Sequence, residues 1–166
     1  MVFNKPTEII MIVKPLSANM HFFRDVAELK YQEFSYLTGE ETIEDYLHRQ
    51  KKYVTDKLIP KSFAVLNESE NLLGTFALEV EDLSTRPDLS PWLGSVVVAA
   101  PHRGKGVGAF IVREAERMAK NLGYSKLYLY TPDQEAWYAK QGWMVLEHSF
   151  SGEYPISVMF KQLNIS

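Results

Sequence analysis

A chain of 166 residues, 46% apolar and 23% charged, is expected to fold as one domain spanning 1–166 with a sizeable core. A net charge of −3 with no run of Lys or Arg argues against nucleic acid as a partner, and no stretch approaches the apolar length of a membrane span. There is no cysteine, which excludes disulfides, thiolate metal sites and a cysteine nucleophile together, and the four histidines form no metal-spaced pair, so no metal is expected.

The first apolar run, Glu8 to Val13, reads as a buried strand ended by Pro15. It is too short for a signal peptide, and with the absence of cysteine it points to a cytoplasmic protein. Ser17 or Asn19 then caps a helix over Met20 to Leu37, with Phe22, Val26, Leu29 and Phe34 near helical spacing. Gly39 breaks the pattern. Thr42 and Asp45 form a capping box for a second helix, which carries Ile43, Tyr46, Leu47, Tyr53, Val54 and Leu58 before Pro60 stops it. Ser62 to Asn67 and Leu72 to Val80 make a hairpin across a polar turn. In the return strand Phe76, Leu78 and Val80 share one face, and Thr75, Ala77, Glu79 and Glu81 the other. Asp82 to Pro91 is long for a plain hairpin loop and reads as a functional loop.

Trp92 to Ala99 is the central strand, its valines suited to burial on both faces. A short basic loop follows, Pro101-His102-Arg103-Gly104-Lys105-Gly106-Val107-Gly108, and then an amphipathic helix over Val107 to Leu122 with Gly123 after it. Lys126 to Tyr130 is a strand. Thr131-Pro132-Asp133-Gln134 predicts a helix start with Thr131 as cap and Gln134 closing the box, and that helix ends near Gln141. Trp143 to Phe150 and Ile156 to Phe160 are the last strands, a place where a second copy would pair to give a homodimer. The whole is a mixed α/β layout without an internal repeat.

Glycines at 104, 106 and 108 beside Arg103 and Lys105 suit an anion, since backbone N–H groups crowd inward and the helix adds the positive end of its dipole. The loop is not a P-loop, because Lys105 is followed by Gly106 rather than Ser or Thr, and that counts against phosphoryl transfer. Nor does Gly104-x-Gly106-x-Gly108 have the dinucleotide spacing.

The spacing Arg103-x-x-Gly106-x-Gly108, after a valine strand and before a helix, resembles the acyl-CoA signature of the GCN5-related N-acetyltransferases. Trp137-Tyr138-Ala139-Lys140-Gln141-Gly142-Trp143 is similar to the second hallmark of that family, and the element order agrees along nearly the whole chain. The resemblance implies an α/β GNAT fold: a mixed central sheet with splayed central parallel strands and helices on both faces. It implies acetyl-CoA as co-substrate, its pantetheine pairing with the backbone of Val96, Val97 and Val98. The acetyl carbonyl would sit near the Val98 N–H. The phosphates would lie over Arg103, Gly104, Lys105, Gly106, Val107, Gly108 and Ala109. Thr131 stands where many members have Asn, as a contact for a pantetheine amide.

The reaction implied is direct attack by an amine, so no protein nucleophile is needed. Tyr138 is the candidate acid for the departing thiolate, and Glu79 the candidate base, with Glu81 and Asp82 as rivals. His102 is read as facing solvent. The acceptor is a primary amine of a small molecule or a peptide. Acidic residues near the loop favour a cationic amine, and Arg86 argues for a carboxylate as well. The alternative from another class is a non-catalytic acyl-CoA-binding or sensing module on the same fold.

Overall fold

The computed structural model describes residues 9–39 and 41–164. Seven strands form one mixed sheet in the order β1-β2-β3-β4-β5-β7-β6. They are β1 Met11–Pro15, β2 Lys61–Asn67, β3 Leu72–Glu79, β4 Trp92–Val98, β5 Lys126–Thr131, β6 Met144–Ser151 and β7 Tyr154–Gln162. Every neighbouring pair is antiparallel except β4 and β5. Among the described residues the α-helices are α1 Phe23–Thr38, α2 Ile43–Gln50, α3 Val107–Asn121 and α4 Glu135–Lys140. The first expected strand begins later than read, and Glu8 lies outside the described residues.

Strand alternation places the helices on both faces. Phe63 and Val65 of β2 pack in one cluster with Val107, Ile111, Val112, Ala115 and Ala119, the apolar stripe of α3. The intervening Ala64 and Leu66 pack on the other face with Val26 of α1 and with Leu16 and Phe22. Each such buried Val, Leu, Ile or Phe side chain contributes about 1.5–3 kcal/mol. The loop after β3 helps to close the α1 face further along the sheet. Its Leu83 and Leu89 sit with Trp92, Ile156 and Val158, and the Trp92 indole donates to the Leu89 carbonyl at 2.7 Å.

Three expectations change. The second helix was expected to run toward Pro60. It ends at Gln50, followed by one tight turn, Lys51–Tyr53, which leaves Leu58 exposed. Two buried side chains redirect the chain there: the Gln50 amide donates to the Phe23 carbonyl, and Tyr53 turns inward to reach Glu79. The Thr42–Asp45 capping box is present at the start of this helix. At the other end of the chain, α4 begins at Glu135, and its cap residue Gln134 makes no side-chain cap bond. Thr131 cannot start a helix because it still pairs with Ser157 as a strand residue. Its hydroxyl instead accepts from the N–H groups of Asp133 (3.4 Å) and Gln134 (3.0 Å), forming a turn ahead of the helix. Finally, Arg86 does not offer itself to a substrate carboxylate. It is held by Asp88 (2.8 Å) and Glu147 (2.8 Å), tying the loop to β6.

Candidate active site

The site begins with a failure of pairing. β4 and β5 are matched only at Trp92 and Tyr128, where the Tyr128 N–H donates to the Pro91 carbonyl at 3.0 Å. Beyond that point the two parallel strands diverge. On its other edge β4 is paired to β3, but the register slips from Ala77–Gly94 to Thr75–Val97. One extra residue is accommodated there as a bulge, with Ser95 at φ +54°. After the bulge the Ala99 N–H is spent on the Leu73 carbonyl at 2.9 Å. The peptide groups of Val98, one residue earlier, therefore point to the opposite edge, into the opening. The Val98 carbonyl there accepts from Arg103 Nε at 3.2 Å.

Two cavities open from this splay. A cleft of about 430 Å³ is lined by Val96 to Val98, Arg103, Gly104 and Gly106 to Ala109, with Trp137 opposite. A second cavity of about 230 Å³ is lined by Gly94, Ser95, Tyr130, Thr131 and Asp82 among others. Glu33, Val96, Gln134 and Tyr138 line both, so the two spaces meet at Tyr138. Of the expected ligand-binding positions, Lys105 alone lines neither; it is exposed on the loop. His102 is half-buried in the turn Ala100–His102 rather than fully solvent-facing.

The loop fits a diphosphate. Gly104 (φ +73°) and Gly106 (φ +85°) adopt the left-handed conformation that favours glycine. Gly106 is the N-cap of α3 and brings no capping side chain, and the first intrahelical bond runs from the Phe110 N–H to the Gly106 carbonyl. The N–H groups of Val107, Gly108 and Ala109 thus lack intrahelical partners at the positive end of a 15-residue helix. Gly108 differs from the other two. It sits within the helix with ordinary dihedrals, and a Cβ there would meet the Trp137 ring at 3.4 Å, a normal contact. Arg103 lies at the lip of the cleft, paired with Glu33 at 3.3 Å.

Tyr138 is buried, and burial together with Asp133 pushes its hydroxyl up to about 12. It therefore holds its proton throughout the neutral range. Glu79 is buried on the α1 face of β3 and accepts a hydrogen bond from Tyr53 Oη. It does not line either cavity, whereas Asp82 lines the smaller one. The Asp82 carboxyl is raised well above the usual range, first by desolvation and then by the charge and hydrogen bond of Glu79. The same two carboxyls, after burial, raise Tyr130. Lys30 is buried nearby and lowered to about 8, chiefly by desolvation, with Glu79 opposing the shift.

The sequence reading missed Glu33, Tyr53, Lys30 and Gly94. Glu33 is 70 residues from Arg103 and Tyr53 is 26 from Glu79, so no local pattern joins them. Gly94 had a visible signal, a glycine inside a central strand, which marks a close approach. A Cβ built on it would collide with Glu79 Oε2 and stand 3.1 Å from Asp82 Oδ2.

Among the described residues no cluster of His, Cys, Asp or Glu could hold a metal ion, and no helix is long and apolar enough to cross a membrane. Comparison with solved structures places the fold. Spermidine N-acetyltransferase from Vibrio cholerae, solved with CoA and spermine, superimposes with a TM-score of 0.67 at 20% identity over 92% of this chain and 95% of the other. A provisionally named phosphinothricin N-acetyltransferase gives 0.70 at 17% identity, over 94% and 100%. A provisionally named N-acetyltransferase from Lactobacillus plantarum gives 0.65 at 19%, over 93% and 99%. No curated protein matches the chain by sequence. The profile of the acetyltransferase (GNAT) family matches residues 23–143, from the first residue of α1 to Trp143, which takes in the lining of the larger cleft and most of that of the smaller cavity. The chain belongs to that family, the acyl-CoA-dependent N-acetyltransferases.

Proposed function

We propose that this enzyme acetylates a primary amine that is cationic in solution and carries no carboxylate near the reacting nitrogen. The observation that carries the reading is the junction at Tyr138, where the glycine-loop cleft meets a cavity walled by Glu33, Asp82 and Asp133. Among the described residues no Lys, Arg or His lines that cavity, and Arg86 is engaged elsewhere. Phe34, Tyr36, Tyr130 and Tyr154 supply aromatic surface for an aliphatic chain. The spermidine acetyltransferase of similar fold, solved with spermine, supports an amine of this kind.

Bound in the larger cleft, acetyl-CoA supplies an acetyl group activated as a thioester. The α3 N-terminus, Gly104, Gly106 and Arg103 hold its phosphates, and the edge of Val96 to Val98 takes its pantetheine arm. The Val98 N–H points into the opening and polarises the acyl oxygen. Asp82 and Glu79 receive the proton that the ammonium must lose before the amine attacks directly. Tyr138 gives its proton to the leaving sulfur. Thr131 contributes through its turn, which shapes the wall between the cavities.

The test is a panel of amines scored for acetyl-CoA-dependent thiol release. Aliphatic diamines and polyamines should be turned over with kcat/KM at least tenfold above α-amino acids. A preference for the carboxylate-bearing acceptors would overturn the acceptor assignment. Acetyl-CoA binding without thiol release on any amine would replace the enzyme by a binding module.

A further inference from the structure

The α1 face of the sheet holds a polar cluster inside an otherwise apolar core. Lys30 of α1 places its ammonium 3.3 Å from Ser62 Oγ and 5.0 Å from the centre of the Tyr53 ring. Tyr53 donates to Glu79 Oε1. The other oxygen of Glu79 and one oxygen of Asp82 converge over the Cα of Gly94, which has room for them only because it has no side chain. Glu79 is sealed from both cavities, while Asp82 faces the amine cavity. Two buried carboxyls that converge on one point repel each other when both are ionised, which favours a proton held between them.

We propose that Asp82 and Glu79 work as one proton-accepting unit, Asp82 meeting the acceptor and Glu79 taking the charge, with Tyr53 and Lys30 as positioning residues that keep that charge on Glu79. The inference rests on the acetyl-transfer reading of this site and names its base. The balance is simple. At rest the pair carries one negative charge and one proton, the proton on Asp82. The acceptor ammonium gives a proton to an Asp82 oxygen while the proton already on Asp82 passes to Glu79 Oε2. The pair becomes neutral, the amine keeps its electron pair, and the pair later returns the proton to solvent. The charged and titratable groups facing the pair are Lys30 from α1, Arg49 from α2, Lys52 and Tyr53 from the turn after it, and Tyr130 from β5. The Lys30 ammonium and the Tyr53 hydroxyl stabilise a charge on Glu79, while Lys52 acts on Asp82.

Two measurements on the full chain test this. In the infrared spectrum of the free protein at pH 7, a protonated-carboxyl stretch should be present and should be lost in both Asp82→Asn and Glu79→Gln. Its absence from the parent protein overturns the shared proton, whether or not any amine is turned over. In kinetics with the best acceptor, each single variant should lower kcat on the order of 100-fold. The double variant should fall no more than about threefold further, because the two act as a unit. Losses that multiply would show independent carboxylates and overturn the proposal. Tyr53→Phe keeps the ring and its packing, and should move the acidic limb of kcat/KM up by about one pH unit, because a donor to the charged form is lost. Lys30→Met should move the limb in the same direction. A limb left in place by both would remove their positioning role while the infrared result still decides the pair. If no amine is acetylated but the stretch behaves as described, the acetyl-transfer reading fails and the proton sharing stands.

Discussion

Lys30 is a lysine buried inside the α1 face of the sheet. Its ammonium is buried and lowered to about 8 by desolvation, against the attraction of Glu79. In the unfolded chain the same group titrates near 10.5. Between those values the unfolded state binds more protons than the folded state. This residue therefore makes stability rise as pH climbs from about 8 to about 10.5, with a slope of at most about 1.4 kcal/mol per unit. Lys30→Met should remove that rise, as read from urea midpoints across the range. A rise of the same size in the variant would assign it to other groups. At this scale the candidate acid and base were legible, but not their surroundings. Tyr138 stood out because it falls within a seven-residue motif. Glu79 stood out through the family resemblance, because the family often places a glutamate on the strand beside the cofactor strand. Tyr53 and Lys30 reach Glu79 only through the packing of α1 and the turn after α2 against β3, and packing has no local spelling.

Among the elements, the glycine loop with α3 carries the sharpest prediction, because its three glycines do different work. Gly106 at φ +85° should not accept a side chain: Gly106→Ala should cost about 1–2 kcal/mol and weaken acetyl-CoA binding about tenfold. Gly108 lies inside the helix with ordinary dihedrals and ordinary room beside Trp137. Gly108→Ala should be neutral or stabilising by about 0.5–1 kcal/mol and leave affinity within twofold. Urea unfolding and a binding titration separate the two, and equal losses would contradict the division. The sequence pattern alone treats the three glycines alike, since conformation is not written in residue type. Other elements show the same boundary. The capping box of α2 was legible because it is local, while the end of that helix was set by Gln50 and Tyr53 reaching distant partners. Thr131 had the right chemistry for a cap, but pairing with Ser157 kept it in β5 and moved its bonds to the preceding turn. The loop after β3, read as functional, is largely a plug built on Leu83 and Leu89, and it contributes Asp82 to the cavity wall.

At the scale of the whole molecule, the sheet is a continuous wall except at one seam. The order of strands and helices follows from periodicity and turn residues, so the architecture was legible. The seam was legible only through family resemblance, because a bulge at Ser95 and a single β4–β5 match are properties of pairing partners. Its position matters because it brings the glycine loop, an opened strand edge, a protonated tyrosine and an acidic cavity to one point. If chemistry occurs at that point, it depends on the Tyr138 hydroxyl, and Tyr138→Phe is the decisive variant. Turnover of the best amine acceptor and the Kd for acetyl-CoA should be measured on the same preparation as the parent protein. A fall in kcat of about 100-fold is expected, with the Kd unchanged within twofold. Turnover within twofold of the parent would contradict it.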